Sequence, residues 1–210
     1  VLVEAALARL AAAGAVIVEA PVPGLDGVMP VAMAIQAHDV VPALERYLLE
    51  SGAPVDFETM FAGVSADVAN VFAMMALPGA PSAVAEDVYA AARDISRPAL
   101  RQAMSAWFAE HRVDAMLLPA TMVPATPVGD QGNVDVSGKA VPFAIAVARN
   151  ITPGSTLGLP GLVLPCGLTA RGLPVAIELD GPERGDRKLL SIGMAVEAVL
   201  GPLPAPVLRG

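Results

Sequence analysis

Few side chains in this sequence have the chemistry of a nucleophile, a base or a metal ligand. There are two histidines, His38 and His111, one cysteine, Cys166, and two lysines, Lys139 and Lys188. His38 precedes Asp39 in a helical pattern, where adjacent positions do not face one another, so it reads as a surface histidine. His111 stands between Glu110 and Arg112 near a helix end and reads as an ordinary capping residue. Cys166 lies between Pro165 and Gly167 with no histidine or basic cluster nearby to lower its pKa, which suits a small buried hydrophobe better than a nucleophile. Lys139, in Ser-Gly-Lys, reads as a solvated loop charge, whereas a serine–lysine hydrolase needs a desolvated lysine held against its serine. No Gly-x-Ser-x-Gly elbow, phosphate loop or dinucleotide fingerprint is present, and the histidines are not spaced to share a metal on one helix face. The polar run NITPGST (150–156) differs in kind. It places Asn150, Thr152, Ser155 and Thr156 just before an apolar strand, where they would either line a pocket or make a turn.

The elements that must position these groups follow an α/β rhythm. Leu2, Val3, Ala6, Leu7 and Leu10 have helical spacing, and Gly14 is a fitting stop. AVIVEA (15–20) reads as a strand, 21–30 as a loop, and 31–50 as a helix interrupted near Pro42. Residues 65–76 form a short helix capped by Ser65, and 84–110 a long helical region that Pro98 should kink or split. DAMLLP (114–119) reads as a buried strand. The stretch 120–140 reads as a long irregular loop, of a length often tied to function, and 141–150 as a short helix. Strands at 162–164 and 174–179 flank the turn TARGLP, with Arg171 at its tip. Side by side in a sheet core, those two strands are expected to be apolar on both faces. Asp186 opens a last amphipathic helix carrying Leu189, Ile192, Val196 and Val199 on one side.

Composition narrows the functional classes. Hydrophobic residues make up 55% of the 210 residues and charged residues only 16%, so either the core is large or apolar surface meets another segment or subunit. A mean hydropathy of +0.60 raises the question of a membrane span. The uncharged run 150–170 is broken by Pro153, Pro160 and Pro165, and no span is expected. A net charge of −8 with 13 dispersed basic residues argues against nucleic acid as a partner. One cysteine excludes an internal disulfide and fits a reducing, cytoplasmic compartment. The sequence opens on Val1 with no signal-peptide pattern, and is expected to begin inside a longer protein.

Five ordered motifs then resemble the C-terminal part of amidase-signature hydrolases. They are DAMLLPATMVPATPVGD, NITPGSTLGLPGL, the strand ending Pro-Cys-Gly, the Gly-Leu-Pro turn with ELDGP, and the closing helix DRKLLSIGMAVEAVLGPLP. PGSTLGLPGL and ELDGP are most similar to the branch that includes mandelamide and indoleacetamide hydrolases. The resemblance covers essentially the whole chain and implies an α/β fold with a mixed β-sheet core flanked by helices, as one portion of a single amidase domain. It implies a bacterial enzyme that hydrolyses a small, aryl-substituted carboxamide to acid and ammonia without a cofactor. In the family a lysine relays a proton through a cis-configured serine to a nucleophilic serine, backbone amides hold the oxyanion, and an acyl-enzyme forms. Those groups lie in the N-terminal half, and no residue here matches them. No catalytic residue is therefore carried over, and the chain alone is expected to be inactive and to need that half as its partner. What the resemblance places near the acyl side of the substrate are Thr121, Met122, Ile151, Thr152 and Ser155, as shaping residues. Ser155 departs from the pattern, since many family members have asparagine there. A homodimer is among the assemblies the resemblance allows. Two further readings stay open: a non-catalytic subunit or pseudoenzyme of the same fold, and an amidotransferase subunit supplying ammonia to a partner.

Overall fold

The structure is a computed structural model that describes residues 1–129 and 132–206. In chain order its elements are α1 (Leu2–Ala12), α2 (Leu25–Glu50), α3 (Phe57–Ala62), α4 (Ala66–Met75), α5 (Glu86–Ala91), a π-helical turn (Ala92–Ser96), α6 (Arg97–His111), β1 (Met116–Pro119), β2 (Asn133–Val136), β3 (Lys139–Pro142), α7 (Phe143–Ala148), α8 (Thr152–Leu157), β4 (Gly161–Leu168), β5 (Pro174–Asp180) and α9 (Asp186–Leu200). They fall into two compact units: Val1–Leu25 with the chain from Arg101 onward, and Asp26–Leu100.

The first unit is built on a three-stranded sheet in the order β1-β5-β4, antiparallel at both pairings. The α/β expectation holds, and β4 and β5 do lie side by side. One face of the sheet carries Ile177, Leu179 and Leu164 into a core shared with Ala6 and Leu10 of α1 and with Leu189, Val196 and Leu200 of α9. Each large apolar side chain removed from water there contributes about 1.5–3 kcal/mol. The spacing read from the sequence for α1 and α9 is the spacing that fills this core. Arg9 ties the two helices by donating to the Val199 carbonyl at 2.5 Å. The 169–174 turn closes as expected, with the Gly172 N–H on the Thr169 carbonyl at 2.8 Å and Arg171 exposed.

Several expectations are corrected. Residues 15–20 form no strand: Val16 is 88% exposed, and the run has no ladder partner among the described residues. β-Branched side chains favour a pleated, half-buried surface, and without a neighbouring strand that preference has nothing to act on. The stretch 120–140 is not one irregular loop. Asn133–Val136 and Lys139–Pro142 pair as a hairpin across Ser137 and Gly138, whose φ values of 54° and 81° are those of the two-residue turn that matches strand twist. Asp130 and Gln131 of that stretch lie outside the described residues. β4 runs on through Pro165 to Leu168 with a bulge between Pro165 and Gly167, which leaves Cys166 without a register partner. A proline is tolerated there because β4 is an edge strand of this sheet. The opposite face of β5 is not apolar, since it buries Glu178 and Asp180.

In the second unit, Val31 and Ala34 of α2 pack against Ala92, with Ile35, Val84 and Leu100 around them. α2 starts at Leu25 rather than 31 and runs unbroken through Pro30 and Pro42. It is the one described helix long and apolar enough to cross a membrane by length and composition, where the sequence reading expects no span. Its buried residues are Val28, Val31, Ala32, Ala34 and Ala37. Ser65 caps α4 as expected, accepting from the Val68 N–H at 3.4 Å, and Phe57, Phe61 and Phe72 form a ring cluster with centroids 5.4–6.3 Å apart. The break expected at Pro98 is the π-helical turn just before it: the proline ring cannot pack against the carbonyl four residues earlier, and a wider turn absorbs the mismatch. His38 is a partly exposed histidine with a partner at each ring nitrogen. Its Nδ1 lies 3.1 Å from Asp39 Oδ1, its Nε2 3.0 Å from Glu86 Oε2, and its ring stacks on Tyr89 at 3.6 Å. Adjacent helical side chains do not face each other, but a short carboxylate can fold back to the ring beside it.

Candidate functional site

Where β1 ends, the chain turns away from the sheet and is held in place by backbone bonds. The Ala120 N–H extends the ladder to the Ala176 carbonyl at 3.0 Å, and the Met122 N–H reaches the Ala146 carbonyl of α7 at 3.0 Å. Asn150, between α7 and α8, donates its side-chain amide to the Pro119 carbonyl at 2.7 Å. These bonds fix the β1 exit, α7 and the start of α8 around an open cavity of about 320 Å³. Its walls are Leu25, Leu118, Pro119, Met122, Val136 and Pro153, with Arg149 and Asn150 as its polar groups.

In the NITPGST run Asn150 and Pro153 line the cavity, and residues 152–157 form α8 rather than a simple turn, closed at Gly158 by a left-handed residue with φ of 73°. A residue with φ > 0 at this position is a common helix stop, and glycine takes it without strain. Of the five residues expected at the acyl side, the structure brings Met122 to the cavity wall. Ile151 and Thr152 lie between Asn150 and Pro153, which line the cavity, but their side chains do not. Ile151 is 42% exposed, and the Thr152 hydroxyl donates to the Ala148 carbonyl at 2.7 Å. Thr121 is exposed and turns its hydroxyl to the Val123 carbonyl at 2.7 Å. Ser155 is exposed on α8.

Sequence reasoning did not single out Arg149 or the carboxylate pair. Arg149 follows six small or apolar residues of α7, and only the fold turns the end of that helix to the cavity. Glu178 and Asp180 are two apart on β5 and so share a face. Their side chains are 6% and 1% exposed. Burial, with the Asp180 charge adding to it, pushes Glu178 up to about 7, and burial alone pushes Asp180 up to about 6. The alternation E-L-D was legible, but burial of both carboxylates was not.

Chemically, the cavity suits a small molecule with an apolar body and one polar end. None of its lining residues is a serine, cysteine, histidine or lysine. Lys139 is exposed on β3, and Lys188 pairs with Asp114 at 2.5 Å. Burial raises the Cys166 thiol pKa, the wrong direction for a nucleophile. No group of three His, Cys, Asp or Glu side chains converges among the described residues. The arrangement can therefore shape and orient a ligand, and it offers no bond-breaking group.

The sequence matches the amidase family over residues 1–190. The chain belongs to the amidase family. Among the relatives of this amidase-family chain are an indoleacetamide hydrolase of Rhizobium radiobacter, 36% identical over 94% of the chain and 42% of the relative, and a mandelamide hydrolase of Pseudomonas putida, 34% identical over 86% and 36%. These are the branches that PGSTLGLPGL and ELDGP pointed to. A crystal structure of an amidase superposes with a TM-score of 0.73 at 29% identity, covering 95% of this chain and 42% of that one. The chain thus spans less than half the length of the relatives it matches.

Proposed function

We propose that the complete protein carrying this chain is an amidase that hydrolyses a small, aryl-substituted carboxamide to the carboxylic acid and ammonia. The observation that carries this reading is the similarity to indoleacetamide and mandelamide hydrolases along nearly the whole of this chain. In this reading one serine outside the chain attacks the amide carbonyl, a lysine acting through a second serine takes its proton and returns it to the nitrogen that leaves as ammonia, and water then hydrolyses the acyl-enzyme to the acid. The present residues form the wall against which the substrate's apolar part rests. Met122, Leu118 and Pro153 supply shape, Arg149 and Asn150 a polar end, and Thr121, Ile151, Thr152 and Ser155 the surrounding rim. The absence of a nucleophile or base from the cavity supports a wall role, because a cleft wall needs complementarity rather than reactivity. Ammonia release from indoleacetamide and mandelamide, measured for the complete protein and for residues 1–210 alone, tests the reading. Turnover is expected of the complete protein only. Hydrolysis by the 210 residues alone, or no hydrolysis of any aryl amide by the complete protein, would overturn it.

A further inference from the structure

The opposite face of β5 holds an arrangement that the cavity does not use. Glu178 Oε2 and both carboxylate oxygens of Asp180 are buried with no hydrogen-bond partner among the described residues. Native proteins rarely leave such atoms unsatisfied, and two adjacent buried carboxylates compound the penalty, since each charge opposes the other. The neighbours do nothing to relieve it. In register, β1 offers Met116 opposite Asp180 and Leu118 opposite Glu178, and β4 offers Gly161 and Val163. α8 brings Gly154, where a Cβ would stand 3.1 Å from Asp180 Oδ1, and a Cβ at Gly161 would stand equally close. None of these residues is titratable or charged. The two glycines keep the space beside Asp180 clear of side chains.

We propose that Glu178 and Asp180 are the anionic half of a buried ion pair whose cationic half is one arginine or lysine side chain of the same protein, contributed by polypeptide outside this chain. Three open acceptor atoms match the donors of a guanidinium fork or an ammonium group. The same face of β4 carries Val163, 53% exposed, so apolar surface flanks the charged site as it would at a seam between segments. The relatives hold more than half of their length outside the matched region, which is ample chain to supply the cation. This proposal rests on the reading that the complete protein is longer than these residues, but its test needs no amide turnover.

The test is thermal unfolding of the complete protein between pH 5 and 8, for wild type and for the near-isosteric Glu178→Gln and Asp180→Asn variants. With the cation in place, both folded carboxyl pKa values are lowered. Their stabilisation is then fully present above the ordinary carboxylate range and is lost only as pH falls through the lowered values. The wild-type melting temperature is expected to show no fall attributable to the pair from pH 5 to 8, and each variant to melt about 10 °C lower throughout, because it leaves the cation underpaired. Without a cation the folded pKa values stay raised, and the sign reverses. Stability then falls as pH rises toward about 7, and the variants melt higher than wild type at pH 8. That second pattern would overturn the proposal; measured in a His38→Gln background, which removes the separate small fall that His38 contributes, the pH profile decides even if a carboxylate variant fails to fold. A protein inactive on amides would still give one pattern or the other.

Discussion

Met122 and His38 show how far a residue's surroundings decide its use. Met122 is an unremarkable apolar residue in a proline-spaced stretch, yet its N–H bond to the Ala146 carbonyl fixes it at the cavity wall. If the cavity holds the substrate's apolar body, Met122→Ala should raise KM for an aryl amide by roughly tenfold and leave kcat nearly unchanged, since it removes contact made equally in ground and transition states. A fall in kcat with KM unchanged would speak against that placement. His38 is a pH-dependent link between α2 and α5. Its hydrogen bond to Asp39, then the one to Glu86, raise its pKa against the opposing effect of burial. A histidine with a raised folded pKa contributes stability that is full below its unfolded pKa and is lost as pH rises through the folded value. The complete protein is expected to melt slightly higher at pH 6 than at pH 8, and His38→Gln to remove that increment. The groups are largely exposed, so the effect is small. Identical pH profiles for the two proteins would refute the link.

At the scale of elements, the close approach of α9 to β4 depends on Gly193. A Cβ there would fall on Leu162 Cδ2, so Gly193→Ala must push the Leu162 side chain aside or lift the helix. A loss of about 1–3 kcal/mol is expected, measurable by denaturant unfolding, and an unchanged midpoint would show that the leucine moves freely. α1, α9, β4 and β5 were legible because helical spacing at Leu2–Leu10 and Leu189–Val199, and Pro-bounded apolar runs, are local signals that the core reinforces. The hairpin at 133–142 was missed because its strands are short and largely exposed, and its Ser-Gly turn is a weaker signal than Asn-Gly. The strand expected at 15–20 failed for the opposite reason: its propensity is strong but no described neighbour pairs with it. Proline misled in one place and informed in another. Pro30 and Pro42 sit within an unbroken helix, whereas Pro98 marks a real change of helix type.

For the whole molecule, the fraction of apolar residues acquires a definite meaning. Apolar area is divided between a core of α1, α9 and the sheet and surface that stays open, including Val16, Val163, Leu190 and Met194. The chain matches the amidase family over residues 1–190 and spans 42% of the length of an indoleacetamide hydrolase; in the proposed reading that open surface faces the rest of a longer protein. The candidate site has the same character, a shaped wall with no reactive group of its own.

From its residues alone the chain determined its family, its α/β class and the facing stripes of its principal helices, because motif order and periodicity are written locally along the chain. Tertiary structure decided what spacing cannot encode. It turned Asn150 and Arg149 to a cavity, folded Asp39 back onto His38, and buried Glu178 and Asp180 where no donor of the described residues reaches them. Burial and partnership depend on which distant segments pack together, and sequence patterns leave that dependence open.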